Sequence, residues 1–590
     1  SHPRLLTSPR QLMTRITRLA PASEARFSSS IPPLLQRIYA NRGLTRDAEV
    51  DLSLRHLLPA VDLKGLEPAL ELLVAALLEQ QRILVVGDFD ADGATSSALT
   101  VLALRRLGAA RVDYLVPNRF EFGYGLTPEI VAVAAERQPD LIITVDNGIS
   151  SLEGVAAANR LGIRVLVTDH HLPAAQLPAA AAIVNPNQPG CGFASKHLAG
   201  VGVAFYLLTA LRTRLQQRDW FQSRGLTAPN MADYLDIAAL GTVADVVPLD
   251  RNNRILVQQG LARIRAGRCR PGIRALVEVA GRRLSNLVAA DLGFALGPRL
   301  NAAGRLTDMG KGIECLLAED PATAHSLAVE LDTLNQARKT IEGDMQQQAL
   351  AVLKQLHLGR ESELPWGLCI HRDDWHQGVI GILASRIKER FHRPTIAFAP
   401  AGEGELKGSA RSIPGFHIRD ALDAVASRHP GLIVKFGGHA MAAGLSLKAA
   451  DLQRFRQAFD GEARRLLRRD QLTGELHSDG ELQEAEIDLP MAQQLRDAGP
   501  WGQGFPEPLF DGEFEVLDQR IVGEKHLKLS VGLPGSGRVV DAIAFNVDLE
   551  AWPHPGLRRI YLAYRLDVNE FRGVRSPQLV VAHLAPVSGA

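Results

Sequence analysis

The apolar run Ile83-Leu84-Val85-Val86 ends, after Gly87, in Asp88-Phe89-Asp90-Ala91-Asp92-Gly93, three aspartates spaced two apart and closed by a glycine. Four apolar residues leading straight into polar punctuation read as a strand buried on both faces. Residues 94–107 have helical spacing, so the carboxylates stand at the C-terminal end of a parallel strand, where open α/β sheets place their chemistry. Carboxylates this close repel one another unless something positive holds them, and divalent cations are the usual answer. The stretch therefore asks for a parallel sheet with a metal site on one edge.

Two other loops share the spacing. An EF-hand opens in the same way, but the position of its closing glutamate is Leu99 and a strand, not a helix, precedes the aspartates. Asp90-x-Asp92-Gly93 also resembles the nucleophile loop of haloacid-dehalogenase-type phosphatases, which would use Asp90 covalently. The residues further along favour metals.

From Gln81 to about Asp169 strand and helix patterns alternate, with strands expected at 83–88, 112–116, 141–145 and 165–168. This is a doubly wound parallel sheet. Two more strands end in polar clusters, Asp146-Asn147-Gly148 and Asp169-His170-His171. Asp-Asn-Gly alone is a good turn, but three clusters at the same end of consecutive strands converge on one site. Helices follow at 202–217 and 231–239, the second running into Gly241 to Pro248, where Asp245 lies among apolar residues. An aspartate there needs a partner to stay charged, and Asp250 is equally able to cap the next helix, so Asp245 is expected to be a metal ligand.

Residues 321–355 read as one long amphipathic helix. A second α/β unit, 366–467, carries His376, Ser409-Ala410-Arg411-Ser412 and Gly437-Gly438-His439. Glycines let backbone N–H groups approach an anion and arginine clamps a phosphate, so an anion pocket is expected. Beyond Thr473, short strands with Gly and Pro turns suggest a small OB-like β-barrel, a natural single-strand binder; Lys525, His526, Lys528 and Arg538 are its candidate contacts.

At 590 residues the chain should hold several domains. The net charge of +1 hides Arg251 to Arg305, with eleven arginines against Glu278 and Asp291, a candidate polyanion track. Cys191, Cys269, Cys315 and Cys369 are isolated, which indicates neither a zinc site nor a disulfide framework and fits a reducing cytoplasm. No apolar stretch reaches the ~18 residues of a membrane span. The first thirty residues are rich in Arg and Ser, as transit peptides are. With Met13 as a natural start, residues 1–12 are expected to be a cloning remnant.

In order and combination, the aspartate run, Val145-Asp146-Asn147-Gly148, Asp169-His170-His171 and Gly241–Pro248 resemble the four motifs of the DHH phosphoesterases. Gly437–Gly444 resembles the phosphate loop of the DHH-associated domain. Ser409–Ser412, Gly297–Arg305 and Pro500–Pro506 resemble more narrowly the RecJ family of single-strand-specific DNA exonucleases. The resemblance implies an N-terminal tail (1–45), a DHH catalytic domain (46–320), a connecting helix (321–358), a DHH-associated domain (359–468) and an OB-like domain (469–590). It implies two Mn²⁺ or Mg²⁺ ions held by Asp90, Asp92, Asp146, His170 and Asp245, with Asp146 bridging, Asp88 adjacent and His171 facing the scissile phosphate. Superfamily members often carry a histidine where this chain has Val86, which leaves Asp88 as the nearest substitute ligand. It further implies that His376, Ser409, Arg411, Gly437, Gly438 and His439 hold the 5′ end and that Arg299, Asn301 and Arg305 touch the strand. The implied activity is 5′ to 3′ release of mononucleotides from single-stranded DNA in repair and recombination by a monomer, with single-strand-binding protein and a RecQ-type helicase as partners. The alternatives are a DHH phosphodiesterase for oligoribonucleotides or cyclic dinucleotides, and a non-catalytic replication scaffold; the latter should have lost several of the aspartates, and all are present.

Overall fold

The computed structural model describes residues 4–6, 14–118, 125–306, 309–356 and 364–587. The chain forms two compact units: Pro21–Asn335 with Arg496–Glu507, and Ser1–Ala20 with Gln336–Leu495 and Pro508–Ala590.

The first unit is built on five parallel strands, β1 (Ile83–Gly87), β2 (Val112–Leu115), β3 (Leu141–Val145), β4 (Arg164–Thr168) and β5 (Ala182–Val184). Their spatial order is β2-β1-β3-β4-β5. Strands β1 and β3 are buried along their whole length, which is why they read as unbroken apolar runs. The sheet reverses direction between β1 and β3, and the crevice at such a switch point is where α/β sheets bind ligands. β5, unforeseen in the sequence, is a three-residue edge strand in an alanine-rich stretch, too short for any periodicity to show.

Helix α1 (Ala91–Leu107) follows β1 and exposes only Arg105 and Arg106, as befits a helix enclosed by α2 (Gly200–Gln217) and α3 (Leu235–Ala244). α3 runs five residues past its expected end at Ala239, because Gly241 serves packing and does not break the helix. A Cβ there would sit 2.7 Å from Val201 Cγ1 and strike Thr95. Asp250 caps α4 (Arg251–Arg265), accepting from Asn253 N at 2.9 Å, which releases Asp245 for other duty.

Much of the arginine-rich segment is engaged within the chain, while Arg268, Arg274, Arg282 and Arg283 remain exposed. Arg251, Arg254, Arg265, Arg270 and Arg274 donate to main-chain carbonyls, while Arg263, Arg282 and Arg299 pair with Asp233, Asp291 and Asp332. Most of its charge serves internal ties.

After α5 (Gly297–Leu306), helix α6 (Pro321–Leu356) has 36 residues, about 54 Å at 1.5 Å per residue. Its buried line runs through Leu331, Asn335, Arg338, Glu342 and Met345, alternating steps of four and three. Three of these residues, Asn335, Arg338 and Glu342, are polar, and Glu342 is paired by Arg338 and Arg386.

In the second unit, β6 (Leu368–His371), β7 (Thr395–Pro400), β8 (Glu405–Arg411), β9 (Lys435–Gly438) and β10 (Ala442–Lys448) form a mixed sheet ordered β9-β10-β8-β7-β6, with helix α7 (Ile380–Phe391) on it. Phe398, Phe455 and Phe459 centre its core. β11 (Phe510–Val522), β12 (His526–Gly532), β13 (Val539–Ala544), β14 (Arg559–Phe571) and β15 (Val574–Pro586) close a barrel ordered β11-β12-β13-β15-β14, with β13 and β15 parallel. That is the Greek-key barrel of an OB-fold.

The stretch expected as a tail carries structure. Residues 1–3 and 7–13 lie outside the described residues, but Thr14–Arg18 pairs parallel with Gly474–Ser478. Ile16 packs on Tyr561 and Ala563, and Arg18 holds Asp511 through Nε (3.1 Å) and Nη2 (2.9 Å). Residues 496–507, expected with the barrel, cluster with the first unit instead.

Candidate metal centre and anion pocket

The loop after β1 turns directly into α1. Asp90 is its N-cap, accepting from Gly93 N at 2.7 Å. Gly93 is required because a Cβ there would meet the Asp88 backbone. Asp92 is fully buried and lies against the N-terminus of α2: Gly200 N donates to its Oδ2 at 2.7 Å and Val201 N to its Oδ1 at 2.9 Å. A helix N-terminus is a natural seat for an anion.

Asp146, after β3, is completely buried with φ +60°. Its neighbour Asn147 donates from Nδ2 to Val86 O (3.0 Å) and Val145 O (2.9 Å), tying β1 to β3 at the switch point. From the end of β4, His170 Nε2 lies 2.9 Å from Asp146 Oδ1, 3.4 Å from Asp92 Oδ2 and 3.6 Å from Asp245 Oδ2. Among the described residues, ligand atoms of Asp88, Asp90 and Asp146 fall within 4.8 Å of one another, as do those of Asp92, His170 and Asp245. Four sequence-separated segments, the 88–92 loop, Asp146, His170 and Asp245, thus supply two adjoining donor sets.

The electrostatics are those of carboxylates crowded together in a buried pocket. Burial, then repulsion from Asp90, pushes the Asp92 carboxyl up to about 7. Asp88, Asp146 and Asp245 are raised well above the usual carboxylate range, by burial first and the neighbouring aspartates next. Burial, with His171 adding to it, pushes His170 down to about 4, leaving a neutral imidazole. Hard carboxylate oxygens with one neutral imidazole suit Mn²⁺ or Mg²⁺, and cations would let these carboxylates ionise together, so the residues fit such ions.

Asp169, which the sequence reading left out of the ligand set, is the orienting residue. Its Oδ2 accepts from Ile149 N at 3.0 Å and its Oδ1 from His171 Nδ1 at 2.6 Å. Burial opposes protonation of His171, but the Asp169 hydrogen bond and charge outweigh it and raise the imidazole to about 9. Burial would raise Asp169 itself, yet the contact with His171 holds it below its usual range. The signal was in the sequence: a carboxylate directly before two imidazoles.

α5 buttresses this loop. Asn301 Oδ1 accepts from Ala91 N at 2.9 Å, and a Cβ on Gly304 would run into the Phe89 carbonyl. Arg299 is buried, donating to Ala295 O (2.6 Å) and paired with Asp332 at 2.9 Å. Arg305 is half-buried on the last turn. Arg299 and Asn301, expected at the strand, are here engaged with Asp332 and Ala91, and Asn301 is half-buried.

In the second unit Arg411 Nη1 donates to Ser409 Oγ at 3.0 Å, and a Cβ on Gly381, at the start of α7, would lie 2.8 Å from Arg411 Nη2. Guanidinium, hydroxyl and helix N-terminus meet there, the elements of an anion pocket. Gly438 (φ +149°) pairs with Ala443 on β10 and Arg411 with Ala442, so the glycine turn lies two strands, roughly 10 Å, away. Gly437 and His439 are exposed beside it; His376, also exposed, accepts from Gly378 N at 2.9 Å just ahead of α7.

Comparison with known proteins accords with these arrangements. Residues 82–242 match the DHH family N-terminal domain, 365–465 the DHHA1 domain and 478–583 the RecJ OB domain. The single-stranded-DNA-specific exonuclease RecJ of Dickeya dadantii is 60% identical over 570 residues, 97% of this chain and 99% of that one. The chain belongs to the RecJ family. The RecJ of Escherichia coli is 58% identical, over 95% of this chain and 97% of its own. The crystal structure of Thermus thermophilus RecJ in complex with Mn²⁺ superposes with a TM-score of 0.79 at 32% identity, covering 97% of this chain and 79% of that one.

Proposed function

We propose that this chain is a single-stranded-DNA-specific exonuclease that hydrolyses phosphodiester bonds from the 5′ end, releasing mononucleotides with two Mn²⁺ or Mg²⁺ ions. The observation that carries the reading is a pair of donor sets at the switch point, Asp88/Asp90/Asp146 and Asp92/His170/Asp245, in a chain whose relatives are named single-stranded-DNA-specific exonucleases. Such ions, when bound, activate water and neutralise the charge that gathers on the phosphate.

The protein's own groups do the rest. Asp146 lies between the two sets and is suited to serve both. Gly200 and Val201 hold Asp92 through both oxygens. His171 binds Asp169 through Nδ1, which turns its other nitrogen outward to meet a phosphate oxygen. Ser409, Arg411 and the start of α7 supply a seat for a terminal 5′ phosphate, the group that would define polarity. The OB barrel adds stacking and backbone grip along a single strand. Single-strand-binding protein and a RecQ-type helicase suit this reading as partners, since one coats and the other exposes such strands.

The test is digestion of end-labelled single-stranded DNA, duplex DNA and RNA with Mn²⁺, Mg²⁺ or chelator. Mononucleotides should leave the 5′ end of the single DNA strand, and only with metal. Equal digestion of the duplex, release from the 3′ end, or activity in chelator would each refute the reading.

A further inference from the structure

The turn that delivers Asp245 is backbone-strained. Asp245 is the C-cap of α3, its N–H bonded to Gly241 O at 3.0 Å, and the next residue, Val246, has φ +60°. That position after a helix is the one usually given to glycine. A β-branched residue there is an outlier that persists only when its surroundings over-determine it.

The surroundings come from Arg254 and from residues 501–505, far along the chain. Leu249 N donates to Gln503 O at 2.7 Å. A Cβ on Gly502 would lie 2.7 Å from Leu249 Cδ1, and one on Gly504 3.4 Å from Pro248 Cβ. Arg254, itself buried, donates from Nη1 to Leu249 O at 2.8 Å, and its guanidinium lies 4.2 Å from the centre of the Phe505 ring. Phe505 stacks on Trp501 at 5.3 Å, and Trp501 on Tyr39 at 6.4 Å. Pro248 and Leu249 are thus gripped from both sides, while helix α3 fixes the other end of the turn.

We propose that residues 501–505 and Arg254 form a clasp that holds the Val246 turn in its strained form and thereby aims Asp245 at His170 and Asp92. Arg254 and Phe505 are positioning residues: neither belongs to the donor sets, and each acts through the backbone of Leu249. The inference rests on the two-metal reading above. It goes further in assigning a function to the tryptophan–phenylalanine segment and in making the clasp selective, since Asp88, Asp90 and Asp146 lie on other loops. With the clasp broken, Val246 relaxes to negative φ and Asp245 swings off its set. Glycine at 246 carries no such penalty, so it should keep the native turn without the clasp.

The experiment is calorimetric Mn²⁺ titration of the full chain, with circular dichroism to check folding. The native chain should bind two ions. Arg254→Met should weaken one binding step by about 10-fold or more and leave the other within 2-fold, a selectivity that general loosening would not produce. Adding Val246→Gly to Arg254→Met should recover most of the loss, and Phe505→Leu should behave as Arg254→Met does. No Mn²⁺ binding by the native chain would overturn the metal reading itself. Native binding in Arg254→Met, equal weakening of both steps, or no recovery with Val246→Gly would overturn the clasp.

Discussion

Gly200→Ala separates the geometry of the centre from its stability. Gly200 begins α2, so helix propensity favours alanine there by up to about 1 kcal/mol. The added Cβ, however, would stand 2.7 Å from Asp146 Cβ and 2.9 Å from its Oδ1, where carbon–carbon contacts settle near 3.5 to 4.0 Å. The pair must part by about 1 Å. Asp146 cannot retreat freely, being completely buried against His170, so α2 must shift and take with it the two N–H groups that hold Asp92. Overpacking of this kind costs about 1 to 3 kcal/mol, of which propensity recovers at most about 1 kcal/mol, whereas a 1 Å misplacement at a reacting centre costs about 100-fold in rate. The variant should therefore melt close to the native protein, yet release the 5′ nucleotide about 100-fold more slowly in single turnover at saturating Mn²⁺ and DNA. A native single-turnover rate would show that contact between α2 and Asp146 does not set the ligand geometry.

Asp146→Ala should abolish cleavage while single-strand binding, measured by fluorescence anisotropy, survives, because strand affinity comes mainly from phosphate contacts elsewhere; substantial residual hydrolysis would count against a shared ligand. Asp88→Asn should raise the Mn²⁺ concentration for half-maximal activity, and unaltered Mn²⁺ binding by calorimetry would reduce Asp88 to a bystander. In chelator, thermal stability should fall as pH rises from 6.5 to 9. His171, raised from 6.5 to about 9, holds its proton more tightly folded than unfolded across that window, and Asp92, raised from 3.8 to about 7, adds to the fall only at its lower end; a flat or rising melting temperature would contradict this, and saturating Mn²⁺ should flatten the trend. Removing residues 508–587, but keeping 496–507, should weaken binding to long strands far more than turnover of a short oligonucleotide at saturation; unchanged affinity for long strands would make the barrel structural.

The metal loops were legible because each carboxylate cluster sits where an apolar run stops, and strand ends are written locally. The OB barrel and the second α/β unit were legible from turn spacing for the same reason. What the sequence hid was direction and distance. An arginine's type does not say what it will hold, so the sequence could not show that Arg299 pairs with Asp332 or that Arg254 and Arg265 donate to main-chain carbonyls. Asn301 has no local mark of its bond to Ala91, 210 residues away. Pro500–Pro506 stood out as a motif, but nothing in its neighbours points to Leu249.

The pairing of Thr14–Arg18 with Gly474–Ser478 has a consequence for how the chain comes off the ribosome. Thr17 and Glu475 are 458 positions apart, an interval of roughly 20 to 90 s at ordinary elongation rates of 5–20 residues per second. For that time the early strand waits with an open edge, and the aspartate loops emerge well before residues 501–505. A nascent chain therefore carries every metal ligand long before the segment that would lock Asp245 in place. A polypeptide arrested between residues 245 and 501 would carry the donor residues without the clasp proposed to aim Asp245.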